Sequence, residues 1–149
     1  MKPAVRVPPE LLVGSILTGV TADWHMFDGE RAPQPLVVWM TFEGPGLVQV
    51  STPGDGSIGL FQGDDPESFD MDRYGSVVIE DRPPSVALTD IIGERLRRVT
   101  GLNEATLGFP CGYVLSFPSA AIGLANIGDA IWCLPWPDER WIGICREAS

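Results

Sequence analysis

The only imidazole in this chain of 149 residues is His25, in the run Asp23-Trp24-His25-Met26-Phe27-Asp28, where a carboxylate on either side could tune it as a general base. Hydrolysis of the Ser-His-Asp or Cys-His kind also needs a nucleophile in a recognisable local setting, and no G-x-S-x-G is present. The plainer reading of His25 is a loop histidine held by local hydrogen bonds. Two Gly-Asp pairs, Gly54-Asp55 and Gly128-Asp129, supply a second candidate constellation. Asp55 and Asp129 could converge with His25 on one polar cleft if the chain is built of two related halves. Asp after Gly between strands is also ordinary turn chemistry, its side chain bonding to nearby backbone.

Carboxylates dominate the charge. Twenty Asp and Glu against ten Lys and Arg leave a net charge of −10, and residues 1–80 hold twelve of the acids but only four of the bases. Such a balance disfavours direct phosphate binding, which needs Lys and Arg to displace counterions, so no nucleic-acid role is expected. The densest part is Asp64, Asp65, Glu67, Asp70 and Asp72, five carboxylates in nine positions. It reads either as a solvated linker or as a surface for a basic protein partner. The five oxygen donors are not an EF-hand loop, because the D-x-[DN]-x-[DN]-G pattern is absent and Pro66 interrupts the spacing. No metal and no cofactor are expected, since neither a Walker A nor a G-x-G-x-x-G loop occurs.

Cys111, Cys133 and Cys145 show no C-x-x-C spacing and no neighbouring His. Each lies in or beside an apolar run, so the expectation is three small buried hydrophobes in a reducing, cytoplasmic setting. Lys2 and Arg6 ahead of the apolar residues 11–20 raise the question of a signal peptide, which Pro8, Pro9, Glu10, Gly14 and Gly19 oppose. No run reaches the 18 or so apolar residues of a membrane-spanning helix.

The elements that would position these groups show a repeat. Leu11-Leu12-Val13-Gly14-Ser15-Ile16-Leu17-Thr18-Gly19-Val20-Thr21 is echoed by Asp90-Ile91-Ile92-Gly93-Glu94-Arg95-Leu96-Arg97-Arg98-Val99-Thr100, with Gly, Leu and Val-Thr in step. Each copy is followed by an apolar run ending in Phe, residues 37–42 and 113–117, and then by a Gly-Asp. In each copy a short helix precedes the Gly, Pro being tolerated at a helix start and Gly at its exit. A single longer helix carrying Leu88, Ile92, Leu96 and Val99 on one face is the competing pattern.

Residues 23–35 read as a polar, turn-rich loop. Strands are expected at 36–42, 47–51, 57–61 and 77–80 in the first unit and at 113–117, 121–126, 130–134 and 141–145 in the second. The fold class is thus α+β, dominated by antiparallel strands. Two diverged repeats, about 8–81 and 85–149, pack as one domain over residues 1–149.

Trp136, in Leu134-Pro135-Trp136-Pro137, puts an indole on a stiff loop and is a candidate interface anchor, or a cap over the sheet edge. With their hydrophobic-Gly-x-x-Leu-x-x-Val entry and Phe-ended strand, the halves resemble small bacterial domains of uncharacterised role. The acidic single-domain whole is similar to immunity proteins of bacterial toxin systems. That resemblance implies an acidic, non-enzymatic protein that covers a basic surface of its partner, and it carries over no individual site residue. The expected function is therefore protein binding through Asp64, Asp65, Glu67, Asp70, Asp72 and Trp136. The alternative is a small-molecule binder or weak hydrolase, with His25, Asp55 and Asp129 in a cleft between the repeats.

Overall fold

Two glycines mark where the chain enters its sheets. The computed structural model describes residues 5–31, 35, 37–52, 58–63, 69–70, 76–80, 86–103, 110–127, 130–136 and 146–147. Near its start, a 3-10 turn at Pro9–Leu11 is followed by Gly14 at φ +93°. The five-residue helix α1, Val86–Asp90, is followed by Gly93 at φ +95°. Nothing lies within 4 Å of a Cβ built on either glycine, so the backbone angle and not crowding calls for Gly at both. Helix therefore contributes little. The expected dominance of antiparallel strands is observed, and among the described residues the helical component shrinks to these two pieces.

In the first sheet the strands are β1 (Leu17–Phe27), β2 (Glu30–Arg31), β3 (Val37–Phe42), β4 (Gly46–Ser51), β5 (Gly59–Gln62), β6 (Phe69–Asp70) and β7 (Ser76–Glu80). Their order is β5-β4-β3-β1-β7-β6, with β2 paired to the far end of β1. Strands β8 (Arg98–Asn103), β9 (Pro110–Ser116), β10 (Ala121–Ile127), β11 (Ala130–Pro135) and β12 (Arg146–Glu147) make the second sheet, in the order β11-β10-β9-β8-β12. Every pairing is antiparallel. The two orders correspond strand for strand, β1 to β8, β3 to β9, β4 to β10, β5 to β11 and β7 to β12. Register follows suit: Val20 faces Met40 and Thr21 faces Trp39, while Val99 faces Leu115 and Thr100 faces Val114.

The two entry segments pair with each other. Ile16 and Arg95 form an isolated antiparallel bridge. Around it, Gly14 N–H donates to Leu96 O at 2.7 Å and Gly93 N–H to Leu17 O at 2.7 Å, while Leu17 N–H donates to Glu94 O at 3.0 Å and Leu96 N–H to Ser15 O at 2.8 Å. Each bond has its mirror under exchange of the matched positions. The ladder thus has a local two-fold centred on Ile16 and Arg95.

Between the sheets lies one apolar core. Val20, Ala22, Trp24, Val38, Met40, Phe42, Val48, Val50 and Leu60 of the first sheet join Tyr113, Leu115, Phe117, Ile122, Leu124, Ile131 and Cys133 of the second in a single cluster. Leu12, Leu17, Leu88, Ile91 and Leu96 from the entry segments belong to it and are 0% exposed. Burial of each such side chain is worth about 1.5–3 kcal/mol. The apolar stretch considered as a signal sequence is thus part of the fold, with Leu12, Leu17 and Val20 in the core.

The structure departs from the expected loop at 23–35. Strand β1 runs on to Phe27, and Asp28 and Gly29, at φ +51° and +76°, make a two-residue hairpin turn into β2. Asp-Gly is favoured there because both central residues need positive φ. Segment 141–145, expected as the last strand, lies outside the described residues, and β12 follows it.

Candidate functional site

Strand β1 carries two chemistries on its two faces because side chains alternate. Val20, Ala22 and Trp24 enter the core, so Thr21, Asp23 and His25 share the outer face. His25 is a strand residue, half-buried and opposite Val77, and not a loop residue. Register extends this face across the sheet: Thr21 is opposite Trp39, Trp39 opposite Gln49, and Gln49 opposite Phe61. Arg6 bridges to Phe61 and places its guanidinium carbon 5.0 Å from the ring centroid, a cation–π arrangement. The Phe61 ring folds back over Gly59, where a Cβ would meet ring carbon at 2.4 Å.

Asp23 is 6% exposed, and its Oδ1 accepts the Val37 N–H at 2.7 Å. The carboxylate takes the place of a ladder carbonyl where the β1–β3 pairing ends, between Ala22–Val38 and the start of β3. That bond makes Asp23 a tether for β3. Trp39 is 8% exposed on the same face, and its Nε1–H is buried without an acceptor. An unsatisfied buried donor costs about 1–3 kcal/mol. Nothing in the sequence flagged Trp39, because a Trp in a continuous apolar strand reads as core.

The cleft alternative fares differently for its three residues. Asp55 and Asp129 lie outside the described residues. His25 faces away from the space between the sheets, and that space is filled by Met40, Phe42, Leu115, Phe117 and Leu124. Among the described residues, the structure does not bring His25 to a cleft between the halves. Among the described residues, too, no group of three His, Cys, Asp or Glu is placed to hold a metal ion.

Of the acidic segment, Asp64, Asp65, Glu67 and Asp72 lie outside the described residues. Asp70 is in β6, which pairs with β7 through Phe69–Val77 and Asp70–Ser76 and is last in the order of the described strands of the first sheet. In sequence, the other four acidic residues flank β6 on both sides.

Trp136 is half-buried beside a second small cluster on the outer face of the second sheet, made of Leu102, Cys111, Val114 and Ala125 with Ala121 and Trp132. Its backbone N–H donates to Ala121 O at 2.9 Å. Its indole thus packs partly on the outer face of the sheet, with the rest of its surface exposed.

The cysteines are not three equivalent thiols. Cys133 is a free thiol in the core, and burial pushes its pKa far above the ordinary value. Cys111 is 3% exposed and disulfide-bonded. Its Sγ lies 3.3 Å from Leu102 O, a close contact and not a hydrogen bond, since a bonded sulfur carries no proton.

One exposed polar clasp completes the described surface. Glu94 accepts from Ser119 Oγ at 2.5 Å and from Ser119 N–H at 2.9 Å, which holds its carboxyl below the ordinary 4.5. Arg95, next along, donates Nη1 to Gly14 O, joining the two entry segments.

Comparison with protein-family models, with curated proteins and with solved structures finds no match to this chain.

Proposed function

We propose that this chain is a non-enzymatic binding protein whose acidic first half docks a basic surface of a protein partner, in the manner of an immunity-type inhibitor. The supporting observation is that Asp70 lies in β6, last in the order of the described strands of the first sheet, and that the other four carboxylates of the run flank it in sequence. Negative charge is thereby concentrated in the sequence around that strand. Complementary charge across such an interface chiefly accelerates encounter and selects the partner.

Charges at a sheet edge also have a housekeeping role, since they discourage edge-to-edge pairing between copies. Lys serves that role as well as Asp does. Reversing Asp64, Asp65 and Asp70 to Lys therefore separates the two: self-association stays unchanged in either case, whereas affinity for a basic partner falls and its salt dependence inverts only if the segment binds. Equal binding by the reversed chain rejects the acidic contact.

The same proposal includes the origin of the architecture in a tandem duplication. The matching strand orders, the matched φ angles at Gly14 and Gly93, and the two-fold ladder around Ile16 and Arg95 support it. In such a pair of units, the apolar sheet face of each packs against that of the other.

A further inference from the structure

We propose that the second entry segment displays a docking surface for a short acidic segment of a protein partner, made of Arg95, Arg97 and Arg98 beside the exposed apolar residues Val13 and Ile92. The match between the two entry segments supplies the argument. Arg95, Arg97 and Arg98 stand at the positions that Ile16, Thr18 and Gly19 fill in the first segment. The two segments take mirror-related places in one ladder, so the frame holds without a cation at any of the three. The fold therefore does not account for the charge.

Local structure puts that charge on display. Arg97 N–H donates to Ser116 O at 2.8 Å, and Arg98 is opposite the same Ser116. In the first half the register of β1 on β3 shifts at the matched place, between Leu17 and Gly19. An irregularity of this kind re-aims side chains, and here Leu96 is buried while Arg97 and Arg98 are both exposed. Arg95 is exposed as well, its Nη1 donating to Gly14 O. Among the described residues none of the three is ion-paired. Their neighbour Glu94 is committed to Ser119. Three guanidinium groups thus stand without a salt bridge on a chain whose net charge is −10.

Apolar surface lies beside them. Val13 and Ile92 directly precede Gly14 and Gly93, and with Leu11 they are three of the four exposed large apolar side chains among the described residues. Gly14 N–H donates to Leu96 O, which sets Val13 beside the arginine-bearing segment. Arginine among exposed apolar residues is the composition of a protein interface.

Charge complementarity selects an acidic occupant, and the surroundings select a short one. Glu10, Glu43 and Asp90 are exposed on the neighbouring segments, and Glu43 donates its N–H to Ile16 O. A phosphate polymer or an anionic bilayer would meet those carboxylates together with the arginines. A short acidic segment need not. Two positions of extended chain span about 7 Å, so carboxylates at alternate positions of such a segment match Arg95 and Arg97, each able to take a carboxylate in two parallel bonds. This inference is independent of the reading of the acidic run, and no residue of that run enters its test.

The test uses the full chain and a fluorescein-labelled peptide alternating glutamate and leucine, followed by fluorescence anisotropy at low and high salt. The wild type is expected to bind at low salt and to release at high salt. The variant Arg95→Ile, Arg97→Thr, Arg98→Gly installs the first segment's own residues and is expected to bind more weakly by on the order of tenfold, since three exposed charge pairs are lost. Arg95→Gln, Arg97→Gln, Arg98→Gln carries the same expectation if the first variant does not fold. Arg6→Gln, which removes a positive charge elsewhere, is expected to leave binding unchanged. Equal binding by the wild type and a folded triple variant, or no binding by the wild type at low salt, would overturn the assignment. So would tighter binding of a single-stranded oligothymidylate, or of phosphatidylserine vesicles, than of the peptide.

Discussion

Replacing Gly14 or Gly93 by Ala probes the junction of the two halves most sharply, because the change adds one methyl group and touches no other atom. Each glycine sits at φ near +95° with open space around the built Cβ, so the cost is backbone strain. Holding a non-Gly residue in a sparsely populated region costs about 1–3 kcal/mol, and the reduced freedom of the unfolded chain returns about 0.4–1 kcal/mol. The net expectation is about 1–2 kcal/mol at each site, read as a lower midpoint at constant slope in urea unfolding. The matched geometry demands nearly equal values. The double variant is expected to cost less than the sum by more than about 0.5 kcal/mol, since both N–H groups donate into one ladder around Ile16 and Arg95. Gly19→Ala, with no positive φ and no neighbour near the added carbon, serves as the neutral control. A neutral result at either turn glycine, or costs differing by more than about 1 kcal/mol, would refute the argument.

Other expectations follow from single contacts. Asp23→Ala strands the Val37 N–H and is expected to destabilise by about 1–3 kcal/mol in the same unfolding assay, with Asp23→Asn costing less. Ser119→Ala is expected to raise the Glu94 pKa towards 4.5, followed by NMR titration; because the folded value is depressed, the clasp adds stability above pH 4.5 and loses it as pH falls through the folded value. Trp136→Ala is expected to lower stability by about 1–2 kcal/mol through lost packing on Leu102, Val114 and Ala125, and an unchanged midpoint would return Trp136 to the role of an interface anchor.

Alternation and turn chemistry made much of the fold legible. Val48 and Val50 against Leu47, Gln49 and Ser51 announce a half-buried strand, and β4 buries those two valines. Glu43-Gly44-Pro45-Gly46 announces the turn before it. The polar residues 23–27 misled because their apolar partners are aromatic and interleaved: Trp24 enters the core while Asp23 and His25 occupy the opposite face of the same strand. The signal that could have corrected this was Asp28-Gly29, a two-residue hairpin pair read only as loop material.

Site residues were harder to place than strands, for a physical reason. The role of Asp23 depends on where the β1–β3 ladder stops, and that of Trp136 on the outer face of β9 and β10. Neither is encoded in a local spacing. For Cys111, the bulge opposite Leu102 and Asn103 is a property of paired strands.

The acidic contact is tested most directly by parallel affinity capture from the source-cell extract with the wild-type chain and the Asp64→Lys, Asp65→Lys, Asp70→Lys variant, at low and high salt. The account predicts one basic protein held in stoichiometric amount by the wild type at low salt, released at high salt, and lost from the reversed chain. Capture of the same protein equally by both chains, or of none by the wild type at low salt, would contradict it.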